Sequence, residues 1–118
     1  MTSGMPSGED LLALIRRQSA ERRANPRGFL CEFLQTYWYE FTEEDQRANW
    51  ERQVEQYPWY AEDLLACADA VLADPPEDLA TLLEDCGGVW LDGQAPADWL
   101  RERRAELGRV YSAATGGS

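Results

Sequence analysis

Apolar residues recur along this chain at three- and four-residue spacing almost from end to end, and no strand-like alternation lasts beyond four residues. The pattern predicts an all-α fold: one small helical bundle of five to six helices with short loops. Residues 1–6 read as a flexible lead, 7–112 as the domain and 113–118 as a disordered end. Ser7, with Asp10 reaching back, predicts the start of a first helix. Its stripe of Leu11, Leu12, Leu14 and Ile15 implies that the first half packs, while Arg16 to Arg23 stay in solvent.

Asn25-Pro26 signals a second start, since Asn caps well and proline at the first helical position loses no hydrogen bond. Phe29, Leu30, Phe33, Leu34, Tyr37, Trp38 and Phe41 then form one broad face, which belongs at the centre of the core. Thr42 caps a third helix whose first turn, Glu43-Glu44-Asp45, suits the helix dipole. Trp50, Val54 and Tyr57 are its only anchors, so it lies on the surface and ends at Pro58. A richly apolar fourth helix runs from about Trp59 to Ala73. Asp74-Pro75 opens a fifth carrying Leu79, Leu82, Leu83 and Cys86, and Gly87-Gly88 stops it. Val89-Trp90-Leu91 reads as an extended apolar plug, and Pro96 begins a last helix with Trp99, Leu100, Leu107, Val110 and Tyr111.

Composition changes this picture in one respect. With 44% apolar residues in 118, there is enough for a real core and too much for disorder throughout. The charge, however, is unevenly placed. From Phe29 to Asp98 there are 17 acids against Arg47 and Arg52, a balance of −15 within a total of −11, while both ends are rich in Arg. Such a middle repels itself in the folded state, and a basic partner is the simplest reason to keep it. The Arg-rich ends are interleaved with Glu and read as solvated faces with i,i+4 ion pairs, so nucleic acid is not an expected partner.

Candidate chemistry is sparse. The chain has no His and no Lys, and it lacks a phosphate-binding Gly loop and a calcium-loop spacing. Cys31, Cys67 and Cys86 are odd in number, widely spaced and set among apolar positions. They read as reduced core thiols in a cytoplasmic protein rather than as zinc ligands or nucleophiles. No enzyme, cofactor or metal is expected. No apolar run is long enough to span a membrane, and no secretory signal opens the chain.

Residues 35–60 join aromatic rings to acids. Helical spacing sends Tyr37, Trp38 and Phe41 inward and leaves Tyr39, Glu40, Glu43, Glu44 and part of Trp50 outside. The expected contact surface for a basic protein is Tyr39, Glu40, Glu43, Glu44, Asp45, Trp50 and Glu51, with Glu55, Glu62 and Asp63 as outer charges. Rings supply affinity in such surfaces, and rim charges supply speed and discrimination.

Phe29-Leu30-x-x-Phe33-Leu34-Gln35-x-Tyr37-Trp38 resembles the opening of a family of bacterial contact-dependent growth inhibition immunity proteins. The resemblance continues through Leu64-Leu65-x-x-x-Asp69-x-Val71-Leu72 and Glu77-Asp78-Leu79-x-x-Leu82-Leu83-x-x-x-Gly87. It closes at Trp90 and Trp99-Leu100-Arg101, and so covers about residues 29–107. The chain has Tyr39-Glu40-Phe41 where the family carries a His-containing element, and it adds an Arg-rich first helix. The resemblance implies a small cytoplasmic protein that binds and neutralises the C-terminal toxin domain of a delivered effector. Many such toxins are nucleases with basic clefts, which an acidic aromatic patch would occlude. The protein is then a monomer when free. The alternative reading is a small helical adaptor or regulator that self-associates through its aromatic face.

Overall fold

The computed structural model describes residues 8–116, and the expected lead at 1–6, the Ser7 cap and residues 117–118 lie outside them. The described residues form six helices: α1 (Gly8–Ala24), α2 (Pro26–Tyr37), α3 (Glu43–Gln56), α4 (Pro58–Ala73), α5 (Leu79–Gly87) and α6 (Pro96–Ala114). They build the expected all-α bundle. None is long and apolar enough to cross a membrane.

Capping chemistry sets most boundaries. Asn25 accepts from the Gly28 N–H at 3.1 Å, and Thr42 accepts from the Asp45 N–H at 3.1 Å. Pro58 both ends α3 and opens α4, with Tyr57 as the single residue between them. The fifth helix starts later than Asp74-Pro75 suggested. Asp74 is taken as the last cap of α4, and residues 74–78 form a turn before Leu79. At the other end α6 runs to Ala114, into the stretch expected to be disordered, and the Thr115 hydroxyl donates to the Tyr111 carbonyl at 2.7 Å.

The core lies between α2, α4, α5 and α6, with α3 laid across it. Phe33 meets Trp50 edge-on at 5.8 Å, and Trp38 meets Trp99 edge-on at 5.9 Å, geometries that suit aromatic quadrupoles. The Trp50 indole N–H donates to the Leu107 carbonyl at 2.9 Å, so its one polar atom is satisfied inside.

Two expectations are corrected. The first half of α1 does not pack: Leu11, Leu12 and Leu14 are exposed and only Ile15 is half-buried. The second half packs, through polar groups. Asp63 of α4 is 1% exposed and sits beneath it. Its Oδ1 accepts from Ser19 Oγ at 2.7 Å and Arg23 Nε at 2.6 Å, and its Oδ2 accepts from Arg22 Nε at 3.0 Å. Arg22 Nη2 adds ionic contact at 2.8 Å from Oδ2, without hydrogen-bond alignment. The Arg22 guanidinium also lies 5.5 Å from the Phe29 ring and 5.4 Å from that of Tyr60. Hydrogen bonding to Asp63 raises the Arg23 pKa above its ordinary value. Leucines without a partner stay in solvent, whereas a carboxylate buried in an apolar helix must find cations.

The second correction concerns the thiols. Cys31 and Cys86 form a disulfide, with Cα atoms 5.3 Å apart. Helix α5 lies alongside α2 in the same direction, with Arg27 paired to Asp78 near their starts and Leu34 against Gly87 near their ends. That alignment brings together two cysteines 55 residues apart. Only Cys67 remains a buried thiol, and desolvation pushes its pKa up.

Two outcomes follow. Asp63→Ala strands Arg22 and Arg23 and should cost about 3 kcal/mol in urea unfolding, whereas Glu62→Ala should change it little. Thiol titration of the non-reduced protein should find no reactive group when native and one when unfolded; reduction should expose three. Three thiols in unfolded, non-reduced protein would count against the bridge.

Candidate protein-binding surface

The turn between α2 and α3 and the turn after α5 meet at one point. The Tyr39 ring lies so close over Gly88 that an added Cβ there would stand 2.9 Å from Tyr39 Cδ2. Gly88 has φ 62, a left-handed conformation that closes α5 with its N–H on Glu84 O at 3.0 Å. Position 88 therefore requires glycine twice over, for backbone and for space.

The first turn is built by α2 and α3 together. The Trp38 and Tyr39 N–H groups both donate to the Leu34 carbonyl, at 3.0 and 2.8 Å. The last carbonyls of α2 have no helical donor and are met by α3 side chains. Asn49 Nδ2 donates to Tyr37 O at 3.2 Å, and Gln46 Nε2 donates to Trp38 O and Phe41 O at 3.0 and 3.1 Å. This tight reversal stops α2 four residues short of Phe41, which is 42% exposed instead of inward. Tyr39 is 43% exposed beside it.

The second turn presents Trp90, which at 85% exposure overturns the expectation of a plug. Val89 is buried, Trp90 points out and Leu91 is half-buried, the alternation of an extended segment. Three successive apolar residues show no polar alternation, so the sequence does not mark which of them faces out. Asp92-Gly93, with φ 49 and 84, then turns the chain, closed by Gln94 N–H on Leu91 O at 2.9 Å.

Acids surround these rings. Glu40, Glu43, Glu44 and Asp45 are exposed beyond Tyr39, and Glu84, Asp85 and Asp92 are exposed around Gly88 and Trp90. None of the seven forms an ion pair among the described residues. Elsewhere the arginines are spent inside the molecule: Arg22 and Arg23 on Asp63, Arg27 on Asp78, Arg104 on Asp69. The Arg-rich ends thus do more than the local pairing expected of them. They join α1, α2 and α6 to the acids of α4 and the turn before α5, and leave the acids around the two turns uncompensated.

Of the ten residues expected at the contact surface, Tyr39, Glu40, Glu43, Glu44 and Asp45 gather at the first turn. Glu51 and Glu55 are exposed on α3 in line with Glu44, spaced seven and four residues along one stripe, with Arg47 3.3 Å from Glu51. Glu62 is exposed but belongs with Arg23, 4.0 Å away, and with Tyr111. Trp50 and Asp63 are each 1% exposed and cannot touch a partner: Trp50 completes the core, and Asp63 holds α1. Phe41, Trp90, Glu84, Asp85 and Asp92 join the surface from the structure. No cluster of three or more His, Cys, Asp or Glu among the described residues is placed to hold a metal.

Comparison with protein-family models, with curated proteins and with solved structures finds no match.

Glu40 carries a testable strain. It adopts φ 64, where a side chain costs roughly 1–2 kcal/mol that glycine avoids. After the added chain entropy of glycine, Glu40→Gly should stabilise the fold by about 0.5–1 kcal/mol in urea unfolding. Destabilisation instead would mean that Glu40 holds the turn.

Proposed function

We propose that this chain is a binding protein that neutralises a basic toxin domain, acting as an immunity protein through the surface of Tyr39, Phe41 and Trp90 and the acids around them. The observation that carries the reading is the grouping of three exposed rings with seven unpaired carboxylates at two abutting turns. An almost fully exposed Trp is costly in water and is the residue type most often found at the energetic centre of an interface. Two of the acids, Glu40 and Asp92, occupy left-handed backbone, a local cost to stability that a binding role would explain. The resemblance to growth-inhibition immunity proteins supplies the class of partner, and a nuclease cleft shaped for phosphates supplies the matching charge. The cytoplasmic location implied by that resemblance is kept. Cys31 and Cys86 would there stand as adjacent thiols and join under oxidising conditions.

The test co-expresses this chain with candidate basic toxin domains, with rescue of growth and binding kinetics as readouts. Trp90→Ala should weaken binding by about 2 kcal/mol, mostly through faster dissociation. Glu43, Glu44 and Asp45 changed together to Ala should slow association and flatten its salt dependence without altering the fold. Glu62→Ala should leave both unchanged. Unaltered affinity and salt slope in the first two variants would overturn the assignment of this surface.

A further inference from the structure

We infer that the Cys31–Cys86 bond is a reversible thiol–disulfide exchange site, opened at Cys31 by a small neutral or cationic thiol, and that it governs how firmly α5 is held to α2. This chemistry is independent of the toxin-binding reading.

Access to the bond is one-sided. Cys31 is half-buried on α2, whereas Cys86, in the last turn of α5, is 7% exposed. A thiol arriving from solvent therefore meets Cys31 Sγ. The incoming thiolate bonds to that sulfur, the Cys31–Cys86 bond breaks, and its electron pair leaves on Cys86 Sγ, which takes a proton from water. A second thiolate attacks the external sulfur of the mixed disulfide and expels Cys31, which is protonated in turn. Two external thiols become one disulfide, and the protein gains two electrons and two protons. Closure is the reverse, with the external disulfide as oxidant.

The two helices do not need the bond to stay together. Helix α5 buries Leu79, Leu82 and Leu83 in the core, and the Arg27–Asp78 pair and the Leu34–Gly87 contact lie along the same α2–α5 seam. The cysteine Cα atoms are 5.3 Å apart on packed helices, so the parted thiols can close again. The bond shapes neither adjoining turn. What opening removes is the covalent hold on α5, a nine-residue helix with no side-chain cap bond at its start.

Charge selects the thiol. Glu32 follows Cys31 and Asp85 precedes Cys86, both exposed and neither in an ion pair among the described residues. Arg27, the one arginine of α2, is engaged by Asp78. Every attacking thiolate is negative, so a second negative charge on it is penalised here and an ammonium group offsets the first.

The test treats the full chain with cysteamine and with 2-mercaptoethanesulfonate and follows the bond by alkylation and mass. Native protein should pass reversibly between the two forms, and the reduced form should melt cooperatively at a lower temperature. Amide exchange in the last turn of α5 should be about tenfold faster once the bond is open. At low ionic strength cysteamine should open the bond about tenfold faster than the sulfonate, each rate taken relative to that on a neutral small disulfide, and strong salt should bring the two together. In native protein, Cys86→Ser should form a mixed disulfide with cystamine at Cys31, whereas Cys31→Ser should leave Cys86 and the buried Cys67 unmodified. A bond that opens only as the protein unfolds, or a reduced form without a cooperative melt, overturns the proposal. So does equal capture by the two variants, an equal rate for the two thiols at low salt, or unchanged protection of α5.

Discussion

A single carboxylate governs how this bundle is put together. Asp63 sits in the most apolar helix of the chain, at a position facing the interior, and an unpaired charge there would cost several kcal/mol. Only Arg can answer it in a chain without Lys or His, and the nearest supply is the end of α1. The need to neutralise Asp63 fixes which part of α1 docks. It leaves the leucines at the other end of that helix outside, although their hydrophobicity alone would have put them in. The ion pairs of Arg27 and Arg104 extend the same logic across the molecule with smaller, solvent-screened contributions.

Internal neutralisation is incomplete by construction. Nine arginines flank a stretch that holds most of the acids; those that pair across helices do so on α4 and just before α5, while Arg101 and Arg103 pair with Asp98 and Glu106 within α6. The turns after α2 and α5 receive none. Their rigidity comes from neutral chemistry: amide groups of Gln46 and Asn49 on the open end of α2 and a left-handed glycine under Tyr39. A surface held by such means can carry uncompensated charge and exposed rings without collapsing around them. That is what a preorganised binding face requires.

Much of this was legible beforehand. Asn25-Pro26, Thr42 with its following acids, Gly87-Gly88 and Pro96 each mark a boundary by local backbone chemistry, which a sequence expresses directly. Pairing over distance was not legible. Periodicity assigns Phe41 to the α2 face only if the helix persists, and the Gln46 and Asn49 bonds that end it come from another helix. Asp63 looks like any helical acid until α1 lies on it. The cysteines could be judged only by spacing along the chain, and α5 runs beside α2 for reasons of core packing. Trp90 was hidden likewise, since Val89, Trp90 and Leu91 are all apolar and carry no polar alternation to mark the outward one.

The Cys31–Cys86 bridge has a further effect through what it encloses. Covalently, the oxidised protein is a ring with two arms. The ring, residues 31–86, holds 15 acids and two Arg, and the arms hold the other nine Arg. A protease cutting any connector inside the ring would leave one molecule, still fastened. A cut at the α1–α2 junction would instead release a basic arm and leave Asp63 bare, so the most damaging break in this chain is also one that no cross-link guards.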